Sequence, residues 1–331
     1  MTCVMELEIE EDQNVGSGNG RRKVALVGAG RIGSTTAYSL VLSGLASEIV
    51  LIDYDSARAE GQAMDLDQAV PFGQPVSVRA GEYDDIAGAL VTVVTAGQSL
   101  GIGEKRRDLL DNNWKVIQEV IPKVVKVNPD GLIIVMTDPV DPLTYGAWRL
   151  SGLPRGRVIG TGTILDTARF RSNLAHHFDV DARDIQAYVI GEHGDSFVPV
   201  WSRVSIGGMT LREFASAQGH RCDQDTLTGI EERTRTAAYE VIRRKGSTAF
   251  TVASALMRLL EAILRNQRSI LPVSCALKGQ YGLRDVALSL PAVIDRDGVR
   301  EHLALSLDRE EVEALHRSAA VVDEAIDQIL E

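Results

Sequence analysis

Residues 23–33 read KVALVGAGRIG, a short apolar run that breaks into Gly28-Ala-Gly30-Arg-Ile-Gly33 and then continues as a helical pattern. This is G-x-G-x-x-G placed between a buried strand and a helix. The first glycine suits a tight turn, the second lets the backbone approach a pyrophosphate, and the third allows close helix–strand packing. An anion on the turn would meet the free N–H groups and the dipole at the helix N-terminus. A second apolar run, EIVLID at 48–53, ends in Asp53, 20 residues past Gly33. An acid there can hold a ribose diol and repels a 2′-phosphate, which points to NAD rather than NADP.

Outward from this unit the same rhythm repeats. Apolar strands are predicted at 91–95 and 132–136, with helices near 31–44, 56–70 and 107–127 and a kink expected at Pro122. Buried strands alternating with helices indicate a doubly wound parallel sheet. After about residue 160 the pattern changes to helices near 163–178, 226–244, 249–265 and 308–330. Strands of antiparallel character are predicted near 186–190, 200–206, 268–276 and 286–295. The expected organisation is a flexible arm over 1–22, a dinucleotide-binding Rossmann domain over 23–160 and a mixed α+β domain over 161–331.

The bulk properties exclude several partners. With 331 residues, 44% hydrophobic content and a net charge of −11, the chain has ample core and no basic run to track a phosphate backbone. Nucleic acid and anionic membranes are therefore poor partners. No apolar run approaches the roughly 20 residues needed to span a bilayer. The acidic first 22 residues lack the features of an export signal. Cys3, Cys222 and Cys275 are widely spaced and odd in number, as expected of reduced thiols in a cytoplasmic protein. No metal site is expected.

The remaining chemistry centres on GEHGD at 191–195, which presents His193, and on LDTAR at 165–169, which presents Asp166 and Arg169. A carboxylate beside an imidazole stabilises the protonated ring and fixes its tautomer, making His193 a candidate proton donor near neutral pH. Arg169 stands one helical turn from Asp166, and its planar fork suits two-point binding of a carboxylate. Taken singly, Arg169 could be a helix-surface arginine and Asp166 an acid stabilised by a helix dipole.

Taken together, the GAGRIG turn, VTAG (94–97), GEKR (103–106), LTYGAWRLSGLP (143–154), LDTARFR (165–171), GEHGDS (191–196), KGST (245–248) and YGLRD (281–285) make residues 22–330 resemble the L-lactate/L-malate dehydrogenase family. The resemblance implies hydride transfer between NADH and a small 2-oxo acid. His193 is then the acid–base group, oriented and charged by Asp166. Arg169 binds the substrate carboxylate and Arg106 polarises the carbonyl from a mobile loop, 97–107. Thr248 lines the substrate pocket. Gly28, Gly30, Ile32, Gly33, Asp53, Thr95, Ala96, Gly97 and Asp138 hold the cofactor, Asp138 touching substrate as well. The family's members are dimers or tetramers, so self-association is expected.

Three positions depart from the family pattern. Leu100 stands where lactate enzymes carry Gln and malate enzymes Arg; it offers no partner for a second carboxylate. A neutral 2-oxo acid is expected, pyruvate or a longer aliphatic homologue, giving L-lactate or its analogue. Asp138, in TDPVD (137–141), replaces an Asn that both donates and accepts, whereas an ionised Asp only accepts. A slower enzyme with an acid-shifted optimum follows, unless Asp138 merely caps the next helix. Arg171 matches half of the fructose 1,6-bisphosphate site of activated bacterial members, but Gln186 stands where the other half has His, so activation is not expected. The alternatives are a broader hydroxyisocaproate-like or malate enzyme, or a weakly catalytic NAD-binding sensor.

Overall fold

The opening run becomes strand β1 (Lys23–Val27), every residue of which is buried, as a strand covered on both faces requires. The computed structural model describes residues 22–98 and 106–330. The arm expected over the first 22 residues, except Arg22, therefore lies outside the described residues, as do Leu100 and the side chain of Arg106.

Helix α1 (Arg31–Ser43) follows β1 with Gly30 at its N-cap and ends at Gly44, whose φ of 63° closes the helix. Strand β2 (Glu48–Ile52) leads to α2 (Ser56–Ala69), capped by the Asp55 carboxylate accepting from the Arg58 N–H. Strands β3 (Ser77–Ala80) and β4 (Val91–Val94), helix α3 (Arg106–Val127), β5 (Leu132–Val135), α4 (Val140–Ser151) and β6 (Val158–Gly160) complete this half. The strands pair in parallel in the order β3-β2-β1-β4-β5-β6. That is the doubly wound dinucleotide-binding order, with its switch point between β1 and β4.

Alternate residues of each strand feed opposite cores. Val24 and Leu26 join α1, with Leu40 and Val41, on one face. Ala25 and Val27 join α3 and α4, with Ile117, Ile121 and Leu143, on the other. Helix α3 runs on through Pro122.

The second half starts with α5 (Ile164–Phe178) and a series of two-residue strands, β7 (Ile185–Gln186), β8 (Val189–Ile190), β9 (Val198–Pro199), β10 (Ser205–Ile206) and β11 (Met209–Thr210). The strand expected over 200–206 is not continuous: Trp201–Arg203 coil into a 3₁₀ turn, leaving only Ser205–Ile206 extended. Helices α6 (Leu211–Gln218), α7 (Gln224–Lys245) and α8 (Phe250–Leu264) precede an antiparallel meander, β12 (Ser269–Lys278), β13 (Arg284–Asp295) and β14 (Gly298–His302), and α9 (Arg309–Leu330) ends the fold. The meander extends the parallel sheet, β12 pairing with β6 through Ser274 and Gly160, so nine strands share one sheet. No helix among the described residues is long and apolar enough to cross a membrane.

Candidate active site

The glycine turn lies at the carboxyl end of β1, where its three glycines differ in what enforces them. Gly28 has φ of +113° and a Cβ there would lie 2.6 Å from the Ala96 nitrogen. At Gly33 a Cβ would sit 1.9 Å from the Gly28 carbonyl oxygen. Gly30 is different: its φ of −71° and ψ of −167° are open to any residue, and a Cβ there would meet nothing within 4 Å. Neither packing nor backbone conformation asks for glycine at position 30. A ligand drawn close to the backbone at the N-terminus of α1 would.

Asp53 closes the same crevice. Its Oδ2 accepts from the Ala29 N–H at 2.7 Å and its Oδ1 from the Asp55 N–H at 3.1 Å, with the side chain only 5% exposed. The carboxylate is thus locked at the end of β2, beside the turn, with lone pairs left for a diol. Thr95 pins the far side, its hydroxyl donating to the Gly28 carbonyl at 2.8 Å, while the Thr137 hydroxyl donates to the Ala96 carbonyl at 2.7 Å. Gly97 packs so tightly that a Cβ would lie 2.5 Å from Thr137 Cγ2. Ile32 is partly buried against the core beneath the turn. These residues fit NAD.

Asn113, which the sequence reading does not single out, ties this crevice to the next. It lies fully buried on α3, its Oδ1 accepting from the Gln98 N–H at 2.7 Å. Its Nδ2 donates to the Gln98 carbonyl at 3.0 Å and to the Asp138 carbonyl at 2.6 Å. The available signal was a polar residue on the i, i+3, i+4 stripe formed by Leu110, Ile117, Ile121 and Val124.

His193, Asp166 and Arg169 lie together. His193 Nδ1 and Asp166 Oδ2 are 2.5 Å apart, and Arg169 Nη1 donates to Asp166 Oδ1 at 3.1 Å. Asp166 is 4% exposed by side chain, Arg169 13% and His193 22%, so the acid is the innermost member of the triad. Burial disfavours the charged imidazole, but Asp166 outweighs it, helped by Asp138 and Asp141, and His193 is lifted from 6.5 to about 9. Burial likewise opposes the Asp166 charge, yet His193 and Arg169 hold its carboxyl below the usual range.

Asp138 is exposed and faces His193 closely enough for its charge to favour the imidazolium. It does not cap α4: Pro139 takes the N-cap position and no side chain supplies the cap. Thr248 is half-buried beside Ser247, whose hydroxyl accepts from Arg31 of the glycine turn, so the two halves touch there. Arg106 is the first residue of α3.

Comparison with known proteins decides what this arrangement belongs to. Residues 22–160 match the model for the lactate/malate dehydrogenase NAD-binding domain, and residues 163–331 that for the lactate/malate dehydrogenase alpha/beta C-terminal domain. The chain belongs to the lactate/malate dehydrogenase family. It is an NAD-dependent oxidoreductase acting on a CH–OH group. Among relatives of this family, L-lactate dehydrogenase of Acetivibrio thermocellus is 47% identical over 306 residues, covering 92% of this chain and 96% of the relative. L-lactate dehydrogenase of Priestia megaterium is 44% identical over 307 residues, covering 93% and 96%. Among solved structures, the minor L-lactate dehydrogenase from Enterococcus mundtii superposes with a TM-score of 0.89 at 39% identity, covering 93% of this chain and 98% of that one. A lactate dehydrogenase from a Medee basin deep-sea metagenome library gives 0.90 at 37%, covering 94% and 99%.

Proposed function

We propose that this chain interconverts pyruvate and L-lactate, with longer neutral 2-oxo acids as secondary substrates. The observation that carries the reading is the His193–Asp166–Arg169 triad: one buried acid braces both a proton donor and a guanidinium whose remaining donors suit a carboxylate. When bound, NADH supplies the hydride. Gly28, Gly30 and Gly33 seat its pyrophosphate, Asp53 its ribose, and Thr95, Ala96 and Gly97 the rim of the crevice.

The residues' roles follow from their chemistry. Arg169 fixes the substrate carboxylate and thereby the orientation of its carbonyl. His193, charged at neutral pH, donates its Nε2 proton to the ketone oxygen, and Asp166 stabilises the imidazolium until then. In oxidation the neutral ring takes that proton back. Arg106 polarises the carbonyl, and Thr248 and Leu100 shape the tail pocket, Leu100 leaving a second carboxylate unpaired. Asp138 borders substrate and cofactor as an acceptor-only group. We assign residues 23–160 to the cofactor domain and 161–331 to the substrate domain. A cytoplasmic homo-oligomer agrees with the free Cys222 and Cys275 and with the family.

The test is NADH consumption with pyruvate, 2-oxobutyrate, 4-methyl-2-oxopentanoate and oxaloacetate. Pyruvate should give the highest kcat/KM and oxaloacetate the lowest. Oxaloacetate as the best substrate would overturn the proposal, and NADH binding without turnover of any acid would favour a sensor.

A further inference from the structure

Helix α4 is buried along nearly its whole first two turns, Val140 through Ala147, and one of those residues is an acid. Asp141 is 1% exposed. A buried carboxylate costs free energy unless it is paired, so its partners identify its task. Its Oδ2 accepts from the backbone N–H of His193 at 2.6 Å. The Ser274 hydroxyl lies beside the carboxyl without reaching hydrogen-bond geometry. Asp141 Oδ1 and Ser274 Oγ both lack a hydrogen-bond partner among the described residues. Packing alone does not account for an acid whose one bond goes to the residue that carries the proton.

We propose that Asp141 is a positioning residue for His193, anchoring its backbone N–H and, once ionised, placing a second buried negative charge behind the imidazolium. The inference rests on the proton-donor role given to His193 above. His193 then stands between acids from three places. Asp166 on α5 binds the ring, Asp138 flanks the site from the turn before α4, and Asp141 holds the main chain. Arg169 faces Asp166 from its own helix, and Glu192 faces Asp141 from the His193 loop. Burial pushes the Asp141 carboxyl up to about 7, with Ser274 and the His193 N–H pulling it back and Glu192 adding to the rise. The two buried groups are coupled, and each charge favours the opposite one.

Histidine NMR on the NADH-free protein tests this without catalysis. In wild type the His193 amide resonance should inflect near pH 7 as the acceptor carboxyl ionises. In Asp141→Asn that inflection should vanish, and the imidazole should titrate about one unit lower because a nearby negative charge is gone. The alkaline limb of pyruvate reduction should fall by the same amount, with NADH binding unchanged. A wild-type amide that stays flat from about pH 5 to 8, or an unshifted imidazole in a folded Asp141→Asn, overturns the inference. If the variant does not melt cooperatively, the wild-type amide titration still decides. Wild-type failure to turn over any 2-oxo acid would instead sink the proposed function, leaving the NMR result to judge Asp141 separately.

Discussion

The cofactor crevice and the proton-transfer site are built in opposite ways. The crevice is made of backbone: two glycines enforced by contact, one left open at a helix end, and an acid locked by main-chain N–H groups from the same local unit. The proton site is made of side chains from segments far apart in sequence, with Asp166 and His193 27 residues apart and Asp141 a further 25 upstream of Asp166. The first fails when a Cβ is added. The second fails when a charge is removed.

Removing charge from the proton site should have the largest kinetic effect. His193→Gln or Asp166→Ala should cost about 10²–10⁴ in kcat, the usual worth of acid–base help, while NADH still binds. Parallel loss of NADH binding would mean that the two regions are not separable. Within the crevice, Gly33→Ala should abolish NADH binding and lower Tm, because the new Cβ has no room against the Gly28 carbonyl. Gly30→Ala should leave Tm unchanged and weaken NADH alone. A Tm loss at Gly30 equal to that at Gly33 would refute the assignment of its open space to the cofactor.

Smaller effects separate neighbours within the proton site. Asp138→Asn should lower KM for pyruvate by removing a like charge beside the substrate carboxylate. It should also move the alkaline limb of reduction down, since Asp138 favours the charged His193. The acid-shifted optimum expected from substrate repulsion is therefore opposed by the pull on His193, and KM and kcat profiles measured separately will resolve the two. Stability should follow the same ion pair. The imidazole is raised from 6.5 to about 9 on folding, so its contribution is complete below pH 6.5 and is lost as pH rises through 9. Urea midpoints across that window check it. Last, fructose 1,6-bisphosphate should leave pyruvate half-saturation unchanged. Arg171 donates to the Ala187 carbonyl at 3.0 Å and lies over Tyr188, while exposed Gln186 adds no charge.

The same contrast explains what was legible in the sequence. The glycine turn, β1, β2, the long helices and Asp53 follow from local pattern. Strand β3 holds one buried residue, Val78, and β6 spans three residues, so neither forms an apolar run. Helix α4 opens with Val-Asp-Pro, which reads as a breaker although Pro is compatible with a first helical turn. His193, Asp166 and Arg169 were visible as residue types, and their order along the chain matched the family. Asn113 and Asp141 were not, because their roles come from main-chain partners 15, 25 and 52 residues away.

The pH dependence of kcat/KM for pyruvate reduction by wild type tests the central claim most directly. A proton donor braced by Asp166 predicts a plateau through neutrality that falls near pH 9. A fall centred at 6.5, the ordinary imidazole value, would contradict it.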